Sequence, residues 1–177
     1  VEPCRQVYER SSLAWASESQ GVQIAGLRLM GLDGSTARTP DSPANSEHFG
    51  RPGSSRGRTA YPSLRMLTLS DLGSRLTVAL RHGPYRTGEM TLARSILPSV
   101  PKDAVVVMDR GFAAYGLLHD LRQRGAHFIV RARRDMKVKV VKRLGRGDAL
   151  VRIRTPRALR SRRPDLPETL LFREVIY

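Results

Sequence analysis

The sequence predicts an α/β fold built on a mixed sheet, in which three antiparallel strands are followed by helix-linked parallel ones. Three observations predict it. Ala104 to Met108 is an unbroken, largely β-branched run, the signature of a strand covered on both faces. Leu64 to Leu69 and Leu76 to Leu80 are apolar alternations separated by Ser70-Asp71-Leu72-Gly73, which reads as two antiparallel strands and a tight turn. Helical spacing then alternates with strand-like segments from Thr87 to Val130.

In chain order, residues 1–21 are Ser-rich and suit a partial helix or linker. The core is expected over residues 22–133. From Val22 an apolar run rises to Asp33 and is expected to break at Gly34, a strand with an acid at its end. Pro40, Pro43 and the stretch from Gly50 to Arg58 predict a long irregular loop whose Arg51, Arg56 and Arg58 are able to contact phosphates. After the antiparallel pair, Thr87 is the expected N-cap of a helix with Glu89 in its first turn; Met90, Leu92, Ile96 and Leu97 continue it until Pro98 and Pro101. The strand Ala104 to Met108 ends at Asp109, with Arg110-Gly111 directly behind. Phe112 to Gln123 reads as a helix closed by Gly125, and His127 to Val130 as the next strand. Such a sheet places its first and fourth strands side by side, as in a ribonuclease-H-like core.

Charge separates off the rest of the chain. The 177 residues carry 31 Lys and Arg against 16 Asp and Glu, a net +15. Between Arg122 and Arg163 sixteen Lys or Arg face only Asp135 and Asp148, so 16 − 2 = +14 lies in that stretch. There the charges interleave with Val and Ile, as in MKVKVVKRL and ALVRIRT, which is strand-like. Residues 134–177 are therefore expected to form a basic β-rich unit, with a hairpin from Met136 to Thr155 carrying Lys137, Lys139, Lys142 and Arg143 toward nucleic acid. RALRSRRPDLP reads as a basic loop. The single cysteine, Cys4, excludes an internal disulfide and a Cys-rich zinc site. No apolar run approaches the ~18 residues of a membrane span, and the start has no signal-peptide pattern, so a soluble, cytoplasmic protein without a membrane partner is expected.

Two acids carry the chemistry. Two-metal phosphoryl transfer needs carboxylates from separate strands converging on one point, and Asp33 and Asp109 fit that description. The same residues also suit an ordinary Asp-Gly turn and a helix cap. Glu89 is an acid favourably placed at a helix start and, in a ribonuclease H arrangement, a candidate third ligand. The four histidines show no metal-ligand spacing, Ser35 and Cys4 lack an activating base, and no GxxxxGK[ST] phosphate loop is present.

The strings GLDGSTARTPDSPAN, FGRPG, GPYRTGE, TLARSILP and VVVMDRGF, in this order, resemble the DDE-type transposases of bacterial insertion sequences, in the fourth insertion-sequence family. The resemblance covers roughly Val22 to Tyr177. It implies a ribonuclease-H-like fold, Asp33 and Asp109 as first and second catalytic acids and ligands of Mg²⁺, with Mn²⁺ as substitute, and a β-rich insertion after the second acid. It also implies DNA as partner, at transposon ends and target, contacted by Arg110 among others, and a homodimer associated with the nucleoid. The reaction would be metal-dependent phosphodiester cleavage followed by strand transfer. The family's third acid is a Glu on a helix with spaced Tyr, Arg and Lys, a pattern not found before Tyr177; Glu174, in LLFREVIY, lacks that spacing. The expectation is thus the central part of a transposase, itself inactive, from a longer protein or a degraded gene copy. The alternatives are a self-contained nuclease using Asp33, Glu89 and Asp109, or a non-catalytic basic nucleic-acid-binding remnant.

Overall fold

The computed structural model describes residues 2–18, 23–54, 57–58 and 61–176. Its central sheet is built from β1 (Gln23–Ile24), β2 (Leu27–Arg38), β5 (Ser63–Asp71), β6 (Thr77–Pro84), β7 (Ala104–Met108) and β8 (His127–Val130), in the order β6-β5-β2-β7-β8 with β1 on β2. β2, β5 and β6 are antiparallel neighbours, whereas β7 and β8 run parallel to β2. This is the ribonuclease-H-like mixed sheet, and the first and fourth of its five main strands lie side by side.

The helices α1 (Glu2–Glu18), α3 (Glu89–Ile96) and α4 (Tyr115–Gln123) supply the core with the sheet. Strand alternation decides which side chains they cover. Met30 and Leu32 of β2, Leu67 and Leu69 of β5, and Val106 and Met108 of β7 share one cluster with Leu92 and Ile96 of α3 and Leu117, Leu118 and Leu121 of α4. Leu67 is fully buried, and removing such a side chain from water contributes roughly 1.5–3 kcal/mol. Helix α1 joins that layer at β6. Its Ser12 and Ala16 are buried, its Glu9 pairs with Arg81, and Ser99 donates to Glu9 at 3.0 Å.

A second sheet holds β9 (Val138–Gly145), β10 (Asp148–Arg154) and β11 (Thr169–Val175), antiparallel in the order β11-β10-β9. It is fastened to the core by Phe172 against Phe128, with ring centroids 5.4 Å apart, and by Arg122 of α4 donating to Leu171 O at 3.2 Å. Arg163 completes the joint. Its guanidinium donates to Asp120 of α4 at 2.7 Å and to Asp165 at 2.6 Å. The Arg163 hydrogen bond lowers the Asp165 carboxyl from its ordinary 3.8 to about 2. A depressed folded value means that the pair stabilises the fold above the unfolded value and ceases to do so as pH falls through the folded one. The thermal midpoint of Asp165→Asn should therefore lie below that of the parent near neutral pH, with the gap closing between about pH 4 and pH 2. A gap undiminished at pH 2 would assign the effect of Asp165 to something other than this ion pair.

Several elements differ from the sequence expectation. β2 does not break at Gly34 but runs on to Arg38, because Gly34 stays paired with Leu67 of β5; only the parallel ladder with β7 ends there, at Leu32 and Met108. The expected irregular loop contains helix α2 (Pro43–Phe49) and the two-residue strands β3 (Gly53–Ser54) and β4 (Gly57–Arg58). Ser42 caps α2 by accepting from Asn45 N at 3.2 Å, and Pro43 stands in its first turn, where a missing N–H costs nothing. Gly88 rather than Thr87 is the N-cap of α3. The expected helix from Phe112 is split: a one-turn 3₁₀ segment, Arg110–Phe112, precedes α4, and Phe112 enters the core. RALRSRRPDLP is not all loop, since Arg157–Arg162 forms α5. Among the described residues no helix is long and apolar enough to cross a membrane.

Candidate active site and nucleic-acid interface

Asp33 and Asp109 occupy the next positions after the last parallel pair, Leu32 with Met108. Neighbouring strands lie about 4.8 Å apart, so the two acids begin from adjacent backbone positions. Their faces agree as well. Leu32 and Met108 are buried on the helix side, and alternation turns Asp33 and Asp109, both exposed, to the opposite side with Gly31 and Val107. Asp33 Oδ1 accepts from Gly34 N at 2.9 Å, and Asp109 Oδ1 from Gly111 N at 2.8 Å. The second contact makes Asp109 the cap of the 3₁₀ turn. The capping expectation and the site expectation are thus compatible, because only one carboxylate oxygen is engaged.

A glycine near each acid leaves room for a carboxylate, Gly111 for Asp109 and Gly34 for Glu89. A Cβ on Gly111 would stand 2.9 Å from Asp109 Oδ1, closer than real Cβ atoms come, so any side chain there displaces the carboxylate. A Cβ on Gly34 would stand 3.4 Å from Glu89 Oε1. That contact also locates Glu89. Gly34 faces the α3 side, as Leu32 does, so Glu89 lies across the sheet from the face that alternation gives to Asp33 and Asp109. Among the described residues no group of three His, Cys, Asp or Glu is placed to hold a metal ion. Glu174 is in β11, paired with Ala149, in the second sheet. Both glycines are visible in the sequence, in the Asp33-Gly34 and Asp109-Arg-Gly111 spacings; the room that Gly111 leaves for Asp109 is not.

The basic candidates are dispersed. Arg110 is exposed immediately behind Asp109. Arg51 pairs with Asp41 and donates to Ser46 Oγ at 3.0 Å, which holds α2 to the turn after β2. Arg56 and the side chain of Arg58 lie outside the described residues. Lys137, Lys139, Lys142 and Arg143 are all exposed, in or just before β9, the edge strand of the second sheet. An irregularity in register between Leu150 and Val151 matters here. Lys139 pairs with Arg152, and Lys142 with Leu150, so the shift brings two lysines of opposite parity onto one face. Arg154 and Arg173 share that face by their registers with Thr169 and Leu150. Arg143, paired with Ala149, falls on the other face, which holds the buried Val151 and Ile153.

A family model described as transposase DDE domain matches residues 25–170, a stretch that includes both acids and most of the second sheet. The chain belongs to this transposase family. The transposase InsG for insertion sequence element IS4, of Escherichia coli (strain K12), is 28% identical over 167 residues, which are 93% of this chain and 38% of InsG. InsZ of the same strain is 34% identical over 119 residues, 66% of this chain and 40% of InsZ. The chain therefore spans about two fifths of the length of these curated relatives. Among solved structures, a cryo-EM structure of the piggyBac transposase synaptic complex with hairpin DNA is similar at a TM-score of 0.47 and 11% identity, over 83% of this chain and 33% of that one.

Proposed function

We propose that this chain is part of an enzyme that cuts and joins DNA strands with the help of divalent metal, and that Asp33 and Asp109 are its first two catalytic acids. One observation carries this reading: two exposed carboxylates immediately beyond the same last pair of two adjacent parallel strands, given a common face by strand alternation. Mg²⁺ characteristically takes one or two carboxylates and completes its shell with waters and substrate phosphate oxygens, and the donor set here fits that habit. Mn²⁺ would serve as a substitute. Metal held there would stabilise charge on the attacking and leaving oxygens of an in-line displacement at phosphorus.

The chain's own residues position that chemistry. Gly34 N and Gly111 N each fix one oxygen of an acid, which leaves the other oxygen for a metal–ligand bond. Arg110, one residue behind Asp109, supplies positive charge beside the phosphodiester. Hydroxyl attack forms one P–O bond and breaks another, releasing a strand end; in the joining step the attacking group is a DNA 3′ hydroxyl. Glu89, across the sheet, is not used in this reading, and a third carboxylate would have to approach the face of Asp33.

Metal and DNA should bind with positive coupling, because the substrate phosphate completes the metal's shell, and such coupling is reciprocal. Mn²⁺ affinity measured by electron paramagnetic resonance should rise when duplex DNA is added, and the rise should vanish in Asp109→Asn. Equal Mn²⁺ affinity with and without DNA would remove the phosphoryl-transfer reading.

A further inference from the structure

We infer that the cleft where the second sheet meets α4 is a seat for one phosphodiester of the DNA strand, separate from the acid pair and from Lys139 and Lys142 of β9. The cleft has a volume of about 510 Å³, and its lining includes Lys137, Arg154, Thr155, Arg157 and Arg160 together with Tyr115 and Asp135. The inference rests on the proposed action on DNA.

Charge is the first support. Four cations from three segments, the approach to β9, the end of β10 and α5, converge on one concavity, where their mutual repulsion favours an anion. Asp135 does not neutralise them, since Arg133 donates to it through Nε at 2.9 Å. Arg154 is matched by Glu168 at 2.9 Å, which leaves Lys137, Arg157 and Arg160 as the active charges. Arg157 and Arg160 stand three residues apart in α5, the spacing that puts two side chains on one helix face.

Hydrogen bonding is the second and independent support. Thr155 is 1% exposed, yet its Oγ1 has no hydrogen-bond partner in the protein, and Arg160 Nε is likewise buried and unpartnered. Buried polar atoms are nearly always paired, so two orphans on residues that line one cationic cleft are donors available to a group that enters it. A phosphate accepts from a hydroxyl and a guanidinium at once.

Topology supplies the third support and selects the strand as occupant. β7 and β8 are parallel and in register, Met108 with Val130, so Asp109 and the basic segment after Val130 leave the sheet at the same end. α4 starts there too, six residues after Asp109, with Tyr115 at its first turn and in the cleft. A strand whose reacting phosphate stands over the acids runs past the cleft, and Tyr115 offers a ring to a neighbouring sugar or base.

The test is binding of a fluorescent DNA duplex by this chain across a range of salt. Arg157→Gln with Arg160→Gln should weaken binding about tenfold or more. It should lower the slope of log affinity against log salt by about 0.9, the value for a single phosphate although two charges are removed. Thr155→Val keeps the shape and removes only the hydroxyl. It should weaken binding with no change of slope while leaving the thermal midpoint equal or higher, an outcome that misfolding does not produce. Wild-type affinity and slope in both cleft variants, with the slope still flattened in Lys139→Gln/Lys142→Gln, would overturn the seat and spare the DNA reading. No binding by the parent chain would overturn the DNA reading itself. If inorganic phosphate raises the thermal midpoint while the cleft variants bind DNA normally, the cleft is a free-anion site and the assignment to a strand is wrong.

Discussion

Asp33→Asn and Asp109→Asn are each expected to weaken Mn²⁺ binding by at least about a hundredfold, since loss of even an outer-sphere partner commonly costs 10–100-fold in metal affinity. Both changes keep side-chain volume and remove one negative charge, and both residues are exposed, so the fold should survive. The adjacency of the acids makes the two variants equivalent: they flank one position beyond the last pair of the β2–β7 ladder, and an ion held between them depends on both. Gly111→Ala gives an independent handle, because it leaves every charge in place and displaces Asp109 by the 2.9 Å clash at its Oδ1. It should lower Mn²⁺ affinity in the same direction, whereas Glu89→Gln, across the sheet, should leave it unchanged. Calorimetric titration of the four variants against the parent decides the matter. Equal affinity in Asp33→Asn, Asp109→Asn and the parent would remove the pair as a metal site, and weaker binding in Glu89→Gln would restore a three-acid arrangement of the ribonuclease H kind.

The sequence revealed what depends on short-range pattern. Ala104–Met108 and His127–Val130 are legible to the residue, because a β-branched run and flanking glycines leave little choice, and the placement of the first strand beside the fourth follows from the order of elements. What escaped depends on partners distant in sequence. Gly34 looks like a strand end to its neighbours, yet β5 holds it in the ladder from more than thirty residues away. The side of the sheet on which Glu89 falls cannot be seen in a helix-start motif, since it is set by the crossover of α3 over β5 and β6 and by the missing Cβ of Gly34. Likewise, Arg157 and Arg160 read as loop charges because Pro164 and Pro167 close the segment, although the six residues before Arg163 form a short helix. The cleft they line exists only once the second sheet is docked on α4.

The lysines of β9 are the place where two physical roles compete. A long exposed edge strand invites pairing with another chain, and lysine is a common guard against it; all eight residues of β9 are exposed, including Val138, Val140, Val141 and Leu144. If edge protection were the whole role, the faces would not matter, since a charge on either side blunts the edge. The register shift that turns Lys139 and Lys142 to the face of Arg152, Arg154 and Arg173 instead concentrates charge on one side, as backbone contact with a duplex requires. Replacing Lys137, Lys139, Lys142 and Arg143 together by Gln should flatten the slope of log affinity against log salt by up to about 0.9 for each duplex phosphate that is no longer neutralised, with base preference barely altered. The face assignment sharpens this. Lys139→Gln/Lys142→Gln should account for most of the change, and Arg143→Gln, on the face of Val151, for little. Fluorescence anisotropy at several salt concentrations measures the slopes, and sedimentation reports self-association of the same samples. Unchanged slopes with new oligomers would make the lysines edge guards alone, whereas flattened slopes in monomeric variants would place them on the DNA.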